Sequence, residues 1–123
     1  MTTESTSPSR KPRDLEARTF KFAQDVVTSV ETCPRTVVTS EQIRQVVRSS
    51  GSVGANYIEA HEALSRKDFA LRIKICRKEV KETNYWLRLM KTNGPESERR
   101  RLDAIRESEE LLKIFSAAVQ KLK

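Results

Sequence analysis

Residues 43–92 decide the fold of this chain, and they read IRQVVRSSGSVGANYIEAHEALSRKDFALRIKICRKEVKETNYWLRLMKT. In the second half of this stretch, apolar and small side chains recur at alternating spacings of four and three residues. A helix with this heptad pattern keeps one stripe of side chains against neighbouring helices that cross it at a shallow angle. The stripe consists of Phe69, Ile73, Cys76, Val80, Thr83, Leu87 and Met90. The pattern therefore predicts a helical bundle.

A patch of small residues interrupts the first half of the stretch. Gly51 and Gly54 would each cost about 1 kcal/mol relative to alanine inside a helix. One interpretation is a break into two shorter helices, and the other is a close approach of a neighbouring helix. The apolar periodicity continues through the patch from Ile43 to Tyr57, which favours close packing. The residues assigned to close helix packing are Ser50, Gly51, Gly54, Ala55 and Asn56.

The same periodicity and the breaker residues predict four helices, at about 14–32, 39–64, 66–92 and 95–120. Connections of only a few residues between long helices make sequential helices antiparallel neighbours. The fold class expected is all-α, an antiparallel up-down-up-down four-helix bundle.

The helix starts carry recognisable caps. Thr39 and Gln42 have the spacing of a capping box and predict the start of the second helix at Thr39. Residues 1–13, rich in Ser, Thr, Pro and charge, are predicted to be a disordered tail. The bundle domain is then expected to cover residues 14–123.

The composition limits the class of protein. In the 123 residues, 37% are hydrophobic and 33% are charged, which is typical of amphipathic helices with solvated faces. The two cysteines, Cys33 and Cys76, lack a Cys-x-x-Cys spacing and are expected to be reduced and structural. No apolar stretch resembles a signal peptide or a membrane span, so a cytoplasmic protein without membrane contact is expected.

The chain is basic, with 24 Lys and Arg against 17 Asp and Glu and a net charge of +7. A basic protein is attracted to nucleic acid because binding releases counterions. In the third helix, Glu79 and Glu82 are spaced to form ion pairs with lysines and arginines three or four residues away, which reduces the positive charge of that helix. Arg99 to Arg101 have fewer acidic residues interleaved among them. The candidate nucleic-acid-binding residues are Arg77, Lys78, Lys81, Arg88, Arg99, Arg100 and Arg101.

The third helix has a second apolar stripe outside the heptad. Leu71, Ile75, Trp86 and Leu89 would lie in water in a monomer. A wide core could absorb some of them, but tryptophan is enriched at the centres of subunit contacts. We therefore expect these four residues to form an interface of a homo-oligomer.

The sequence shows no chemistry typical of an enzyme. His61 is the only histidine, and a di-iron bundle would need two Glu-x-x-His motifs. We expect no metal site, no cofactor, no catalytic residues and no enzymatic activity.

Three segments in order resemble the motifs of a known family. They are SVGANYIEA at Ser52 to Ala60, SRKDF at Ser65 to Phe69, and KEVKETNYWL at Lys78 to Leu87. They are similar to the S-I-x-A-N-I-x-E-G/A, S-R-K-D-F and K-E-A-x-E-x-x-Y-W-L blocks of bacterial four-helix-bundle proteins encoded in intervening sequences of 23S rRNA genes. More distantly, the chain resembles the accessory variability determinant of diversity-generating retroelements.

The resemblance implies a ring-shaped homopentamer of four-helix protomers, with no established activity for most members. It also implies binding of nucleic acid and a reverse transcriptase through a basic surface, as in the retroelement relatives. The first hypothesis is therefore a non-enzymatic oligomeric bundle that binds RNA, DNA or a nucleic-acid-processing protein. The alternative is a structural protein–protein adaptor whose charge is incidental.

Overall fold

The structure is a computed structural model that describes residues 12–122 of the chain. It contains four helices and, over this range, no strand: α1 (Pro12–Val30), α2 (Val37–His61), α3 (Arg66–Leu89) and α4 (Pro95–Lys121). The predicted all-α class and the four predicted helices are confirmed.

The first helix begins earlier than predicted. α1 starts at Pro12, inside the segment assigned to the tail. Proline is favoured at the first position of a helix because its missing N–H would have no partner there. The rest of the predicted tail, residues 1–11, lies outside the described residues.

The capping box predicted for α2 was wrong in position. Thr36 is the cap residue: its side chain accepts a hydrogen bond from the backbone N–H of Thr39, and the Thr39 hydroxyl accepts one from the backbone N–H of Thr36. The Thr39 hydroxyl also lies 2.5 Å from the carbonyl oxygen of Pro34. Thr39 is thus the reciprocal partner in the box, and α2 starts at Val37.

α2 passes through the glycine-containing patch without a break. Val46 and Val53 are buried before and inside the patch, and Tyr57 is buried after it. The interpretation as two shorter helices is therefore wrong. The helix ends at His61, and residues 62–65 lead to α3.

α3 begins at its predicted cap and stops earlier than predicted. The Ser65 hydroxyl accepts a hydrogen bond from the backbone N–H of Asp68. Met90 is already extended, with φ −73° and ψ 154°, so the helix ends at Leu89. Gly94 then has φ +88°, a left-handed conformation that favours glycine, and Pro95 opens α4.

The heptad stripe of α3 forms the centre of the core, as predicted. Six of its members are buried, and Phe69 packs against them from a partly buried position. The backbone of α1 lies against those of α2 and α4, and that of α3 lies against the same two helices. Across the core, Tyr57 of α2 meets Phe115 of α4 edge-to-face, with ring centroids 6.0 Å apart. This arrangement around one shared core is that of a four-helix bundle.

Hydroxyl groups in and beside the core form hydrogen bonds between the helices. The buried Thr83 hydroxyl lies 2.8 Å from both Ser49 Oγ of α2 and the carbonyl oxygen of Glu79. Asn84 Nδ2 donates to Ser108 Oγ of α4 at 2.9 Å. Because buried polar groups need partners, these pairs favour one register of α2 and α4 against α3.

Candidate functional site

The outward face of α3 carries a line of cations, which we call the α3 basic stripe. Its members are Lys74, Lys78, Lys81 and Arg88, and all four are exposed. None of them forms an ion pair with any carboxylate in the described part of the chain. The stripe therefore presents to solvent positive charge that no described carboxylate pairs with directly.

The acids of α3 pair with a different helix, contrary to the sequence expectation. Arg48 of α2 lies with Nη2 2.5 Å from Glu82 Oε2 and with Nη1 3.4 Å from Glu79 Oε1. Burial raises the pKa of Glu82, but hydrogen bonds from Arg48 and Trp86 outweigh it and hold the pKa below its ordinary value. Arg48 offsets one of these two negative charges, and Lys78 of the stripe still acts on Glu82 through space without forming an ion pair.

The arginine cluster at the start of α4 is neutralised instead. Arg99 Nη2 and Arg100 Nη2 lie 2.7 Å and 3.1 Å from the same oxygen of Glu96. Arg99 Nη1 also lies 3.5 Å from Asp103 Oδ2. The cluster, which looked less diluted in the sequence, therefore carries less uncompensated charge than α3.

Arg101 has a structural role. Its side chain is only 15% exposed, donates two hydrogen bonds to Glu98 and donates a third, 2.7 Å long, to the carbonyl oxygen of Leu87. The Leu87 carbonyl belongs to the last turn of α3, where helices leave acceptors without partners. The guanidinium lowers the pKa of Glu98 to about 2 through these hydrogen bonds, and Thr92 adds another.

Arg77, and Arg88 of the stripe, lie on the side of α3 that carries Asn84, which bonds Ser108 of α4. Arg77 is partly buried, and Arg88 Nε donates to Asn84 Oδ1 at 2.9 Å. A neutral amide leaves the charge of Arg88 uncompensated. The structure thus brings Arg77, Lys78, Lys81 and Arg88 onto one helix face, apart from the α4 cluster.

The predicted interface residues form a stripe on the α2 side of α3, which we call the α3 apolar stripe. Leu71 and Leu89 are 54% and 48% exposed, whereas Ile75 and Trp86 are partly buried. Trp86 packs against the core and donates through Nε1 to Glu82 Oε2 at 3.3 Å. The protomer itself therefore covers part of Trp86, which was expected from the sequence to be exposed to water in a monomer.

A second exposed apolar surface lies between α1 and α2, and the sequence reasoning did not identify it. We call it the outer groove; it encloses 780 Å³, and its apolar lining comes mainly from Phe20, Ala23, Gly51, Ala55 and Ile58. Phe20 is 65% exposed. The sequence did contain one indication of this groove, because Phe20, Ala23 and Val27 form a second apolar row beside the core row of α1.

The small residues of α2 face different surroundings. A Cβ added to Gly54 would lie 3.1 Å from Thr19 Oγ1 of α1, whereas one added to Gly51 would meet nothing within 4 Å. Ser50 is buried and Ala55 is exposed. Asn56 is partly buried, and its Oδ1 accepts a hydrogen bond from Arg72 Nη1 at 2.9 Å. α1 therefore approaches α2 closely at Gly54, while Gly51 widens the outer groove.

The histidine and Cys76 have packing roles in the structure. His61 lies edge-on to Tyr57, with ring centroids 4.6 Å apart. Burial raises the pKa of the Cys76 thiol to about 12, so it stays protonated at neutral pH. Within the described range, His, Cys, Asp and Glu do not cluster in groups of three or more suited to a metal. None of the described helices combines the length and apolar character required to cross a bilayer.

Comparisons with known proteins agree with this architecture. A crystal structure of a protein of unknown function from the S23 ribosomal protein family of Bacteroides thetaiotaomicron VPI-5482 is similar, with a TM-score of 0.70 and 28% identity. The match covers 85% of this chain and 97% of that one. No curated protein matches the chain. The family model for the 23S rRNA-intervening sequence protein matches residues 14–117, and the chain therefore belongs to that family.

Proposed function

We propose that this chain is a non-enzymatic, oligomeric four-helix bundle that binds nucleic acid through the α3 basic stripe. The observation that carries the proposal is the line of four exposed cations without carboxylate partners among the described residues. The net charge of +7 adds a long-range attraction for polyanions. Phosphates would replace solvent ions along the stripe, and the release of those ions would favour binding.

The proposed bundle is antiparallel and up-down-up-down. Contacts between α2 and α3 support this arrangement, because Arg48 meets Glu82 while Asn56, further along α2, meets Arg72, earlier along α3. The short connection at 62–65 is compatible with the same arrangement.

The proposed assembly is a ring of identical subunits, a pentamer as the family resemblance implies. The outer groove and the α3 apolar stripe are different surfaces of one protomer, and the backbones of α1 and α3 are not adjacent. Two different complementary surfaces make a head-to-tail contact, which closes into a ring when the rotation permits. We propose that Leu89 of one copy enters the outer groove of the next, while Leu71, about 27 Å away along α3, lies outside it.

Mixing two interface variants tests the ring. Phe20→Glu damages only the groove, and Leu89→Glu damages only the apolar stripe. Each variant alone should be a monomer by light scattering, whereas the mixture should form a dimer through its one intact pair of surfaces. Leu102→Glu on α4 is the control, since Leu102 is exposed outside both surfaces. A monomeric wild type, or a mixture that stays monomeric, would contradict the head-to-tail arrangement.

Binding of nucleic acid is tested by fluorescence anisotropy over a range of salt concentrations. Changing both Lys78 and Lys81 to Gln should weaken binding of a single strand and reduce the slope of log K against log salt by about 1.4, at about 0.7 per phosphate contact. The matched control changes Arg99 and Arg100 to Gln, which removes the same charge from a neutralised site and should alter the slope much less. No binding at low salt would contradict the proposal.

The alternative function is a protein–protein adaptor that has the same fold but does not bind nucleic acid. The apolar outer groove supports it, because exposed apolar surfaces of this kind mark protein contacts. An adaptor predicts a defined protein partner, lost in Phe20→Glu, and a flat salt titration with polyanions.

A further inference from the structure

Tyr85 lies in the middle of the α3 basic stripe. It follows Lys81 by four residues and precedes Arg88 by three, so all three side chains share one face of the helix. The Tyr85 side chain is 52% exposed. An aromatic ring is therefore displayed among cations that have no carboxylate partner in the described residues.

Trp86 holds this ring in place. The centroids of the two rings are 5.2 Å apart and the planes make an angle of 80°, an edge-to-face contact. Such a contact occupies at most one face of the tyrosine ring. Trp86 is itself fixed by the core and by its hydrogen bond to Glu82. Tyr85 is thus a positioned platform with a ring face available to a ligand.

We propose that the α3 basic stripe binds single-stranded nucleic acid, with one unpaired base stacked on Tyr85 and the backbone phosphates on Lys78, Lys81 and Arg88. This inference rests on the proposed nucleic-acid binding and specifies its ligand. The bases of a duplex are stacked on one another and do not offer a face to a side chain, whereas unpaired bases do. The aromatic ring between cations is therefore suited to a single strand.

The length of the stripe agrees with a short segment of strand. Lys74 and Arg88 are 14 residues apart, which is about 21 Å along a helix. At 3.4 Å for each nucleotide of a stacked strand, this distance corresponds to at most about six nucleotides, and to fewer where a base leaves the stack to lie on Tyr85.

The test compares labelled oligothymidylate, oligouridylate and a DNA duplex of equal length, using the full chain at low salt. Tyr85→Ala should weaken binding of the single strands by about 5- to 160-fold, the range expected for loss of one stacked base, and should change duplex binding less than about twofold. Tyr85→Phe keeps the ring and should bind like the wild type. Comparing the affinities for the two single strands shows whether DNA or RNA is the preferred ligand.

Trp86, the only tryptophan, gives a second readout because it touches Tyr85. Oligothymidylate should alter its fluorescence in the wild type and much less in Tyr85→Ala. If Tyr85→Ala binds the single strands as well as the wild type does, or weakens duplex binding equally, the stacking inference fails while nucleic-acid binding stands. If the variant changes the mass of the assembly, Tyr85 belongs to a subunit contact and the inference is overturned. If the wild type binds none of the three probes, the proposed function itself fails.

Discussion

Thr83 and Ser49 form a hydroxyl pair at the centre of the bundle, and removing one hydroxyl leaves the other short of a partner. Both residues are fully buried. The Thr83 hydroxyl lies 2.8 Å from Ser49 Oγ and 2.8 Å from the carbonyl oxygen of Glu79. Ser49 has only one other partner, the carbonyl oxygen of Val46 at 3.4 Å. Thr83→Val keeps the shape of the side chain and removes its hydroxyl.

The magnitude follows from what Ser49 loses. A buried polar group deprived of its partner costs about 1–3 kcal/mol, and a satisfied hydrogen bond contributes about 0.5–1.5 kcal/mol net. We expect Thr83→Val to lower the free energy of unfolding by about 1–2 kcal/mol. In a Ser49→Ala background no hydroxyl remains to be left unpaired, and the same change should cost about 1 kcal/mol less. The better helix propensity of alanine cancels in this comparison.

The assay is urea unfolding of the wild type, both single variants and the double variant, followed by circular dichroism at one protein concentration. Fixed concentration matters because assembly adds to apparent stability. Equal costs of Thr83→Val in the two backgrounds, within about 0.3 kcal/mol, would refute the coupling between the two hydroxyls.

Three further predictions concern α2 and the start of α4. Gly51→Ala should stabilise the monomeric fold by about 1 kcal/mol through helix propensity, whereas at Gly54 overpacking of about 1–3 kcal/mol should cancel or outweigh that gain; equal urea midpoints for the two variants, both compared in a Phe20→Glu background, would contradict the close approach. Thr36→Ala should cost about 1 kcal/mol as a lost cap, and Gln42→Ala distinctly less; a larger loss for Gln42→Ala would restore the box predicted from the sequence. The pKa of Glu98 is depressed from 4.5 to about 2, so its ion pair stabilises the fold above about pH 4.5 and is lost as the pH falls toward 2; the melting-temperature difference between wild type and Glu98→Gln should shrink over this range, and a constant difference would contradict the assignment.

The sequence predicted the helices and the core of α3 because these depend on spacing along one chain segment. Side chains separated by three and four residues share one face of a helix whatever the rest of the molecule does. Pro34, Gly94 and Pro95 mark boundaries through restrictions on their own backbones or on that of the residue before them. The cap of α2 was misplaced because Thr36, Thr39 and Ser40 all carry hydroxyl groups that can cap a helix, and only the folded backbone selects Thr36.

The candidate site could be predicted only in part. The rule for pairs three or four residues apart describes one helix at a time, and it assigned Glu79 and Glu82 to the bases of their own helix. It also could not show that the protomer core would cover part of Trp86, or that α1 and α2 would leave an apolar groove between them. Each of these features depends on two helices meeting.

The sequence by itself determined where the helices lie, which face of α3 is buried, and that the chain is basic. Only the tertiary structure decided where positive charge remains uncompensated. Arg48 reaches across from α2 to pair with the acids of α3. The pairs of Glu96 and Glu98 with the arginines of α4, in contrast, join residues three or four apart on one helix, as sequence spacing allows. The physical reason is that an ion pair depends on the distance between two groups in space, and the packing of α2 against α3 sets that distance.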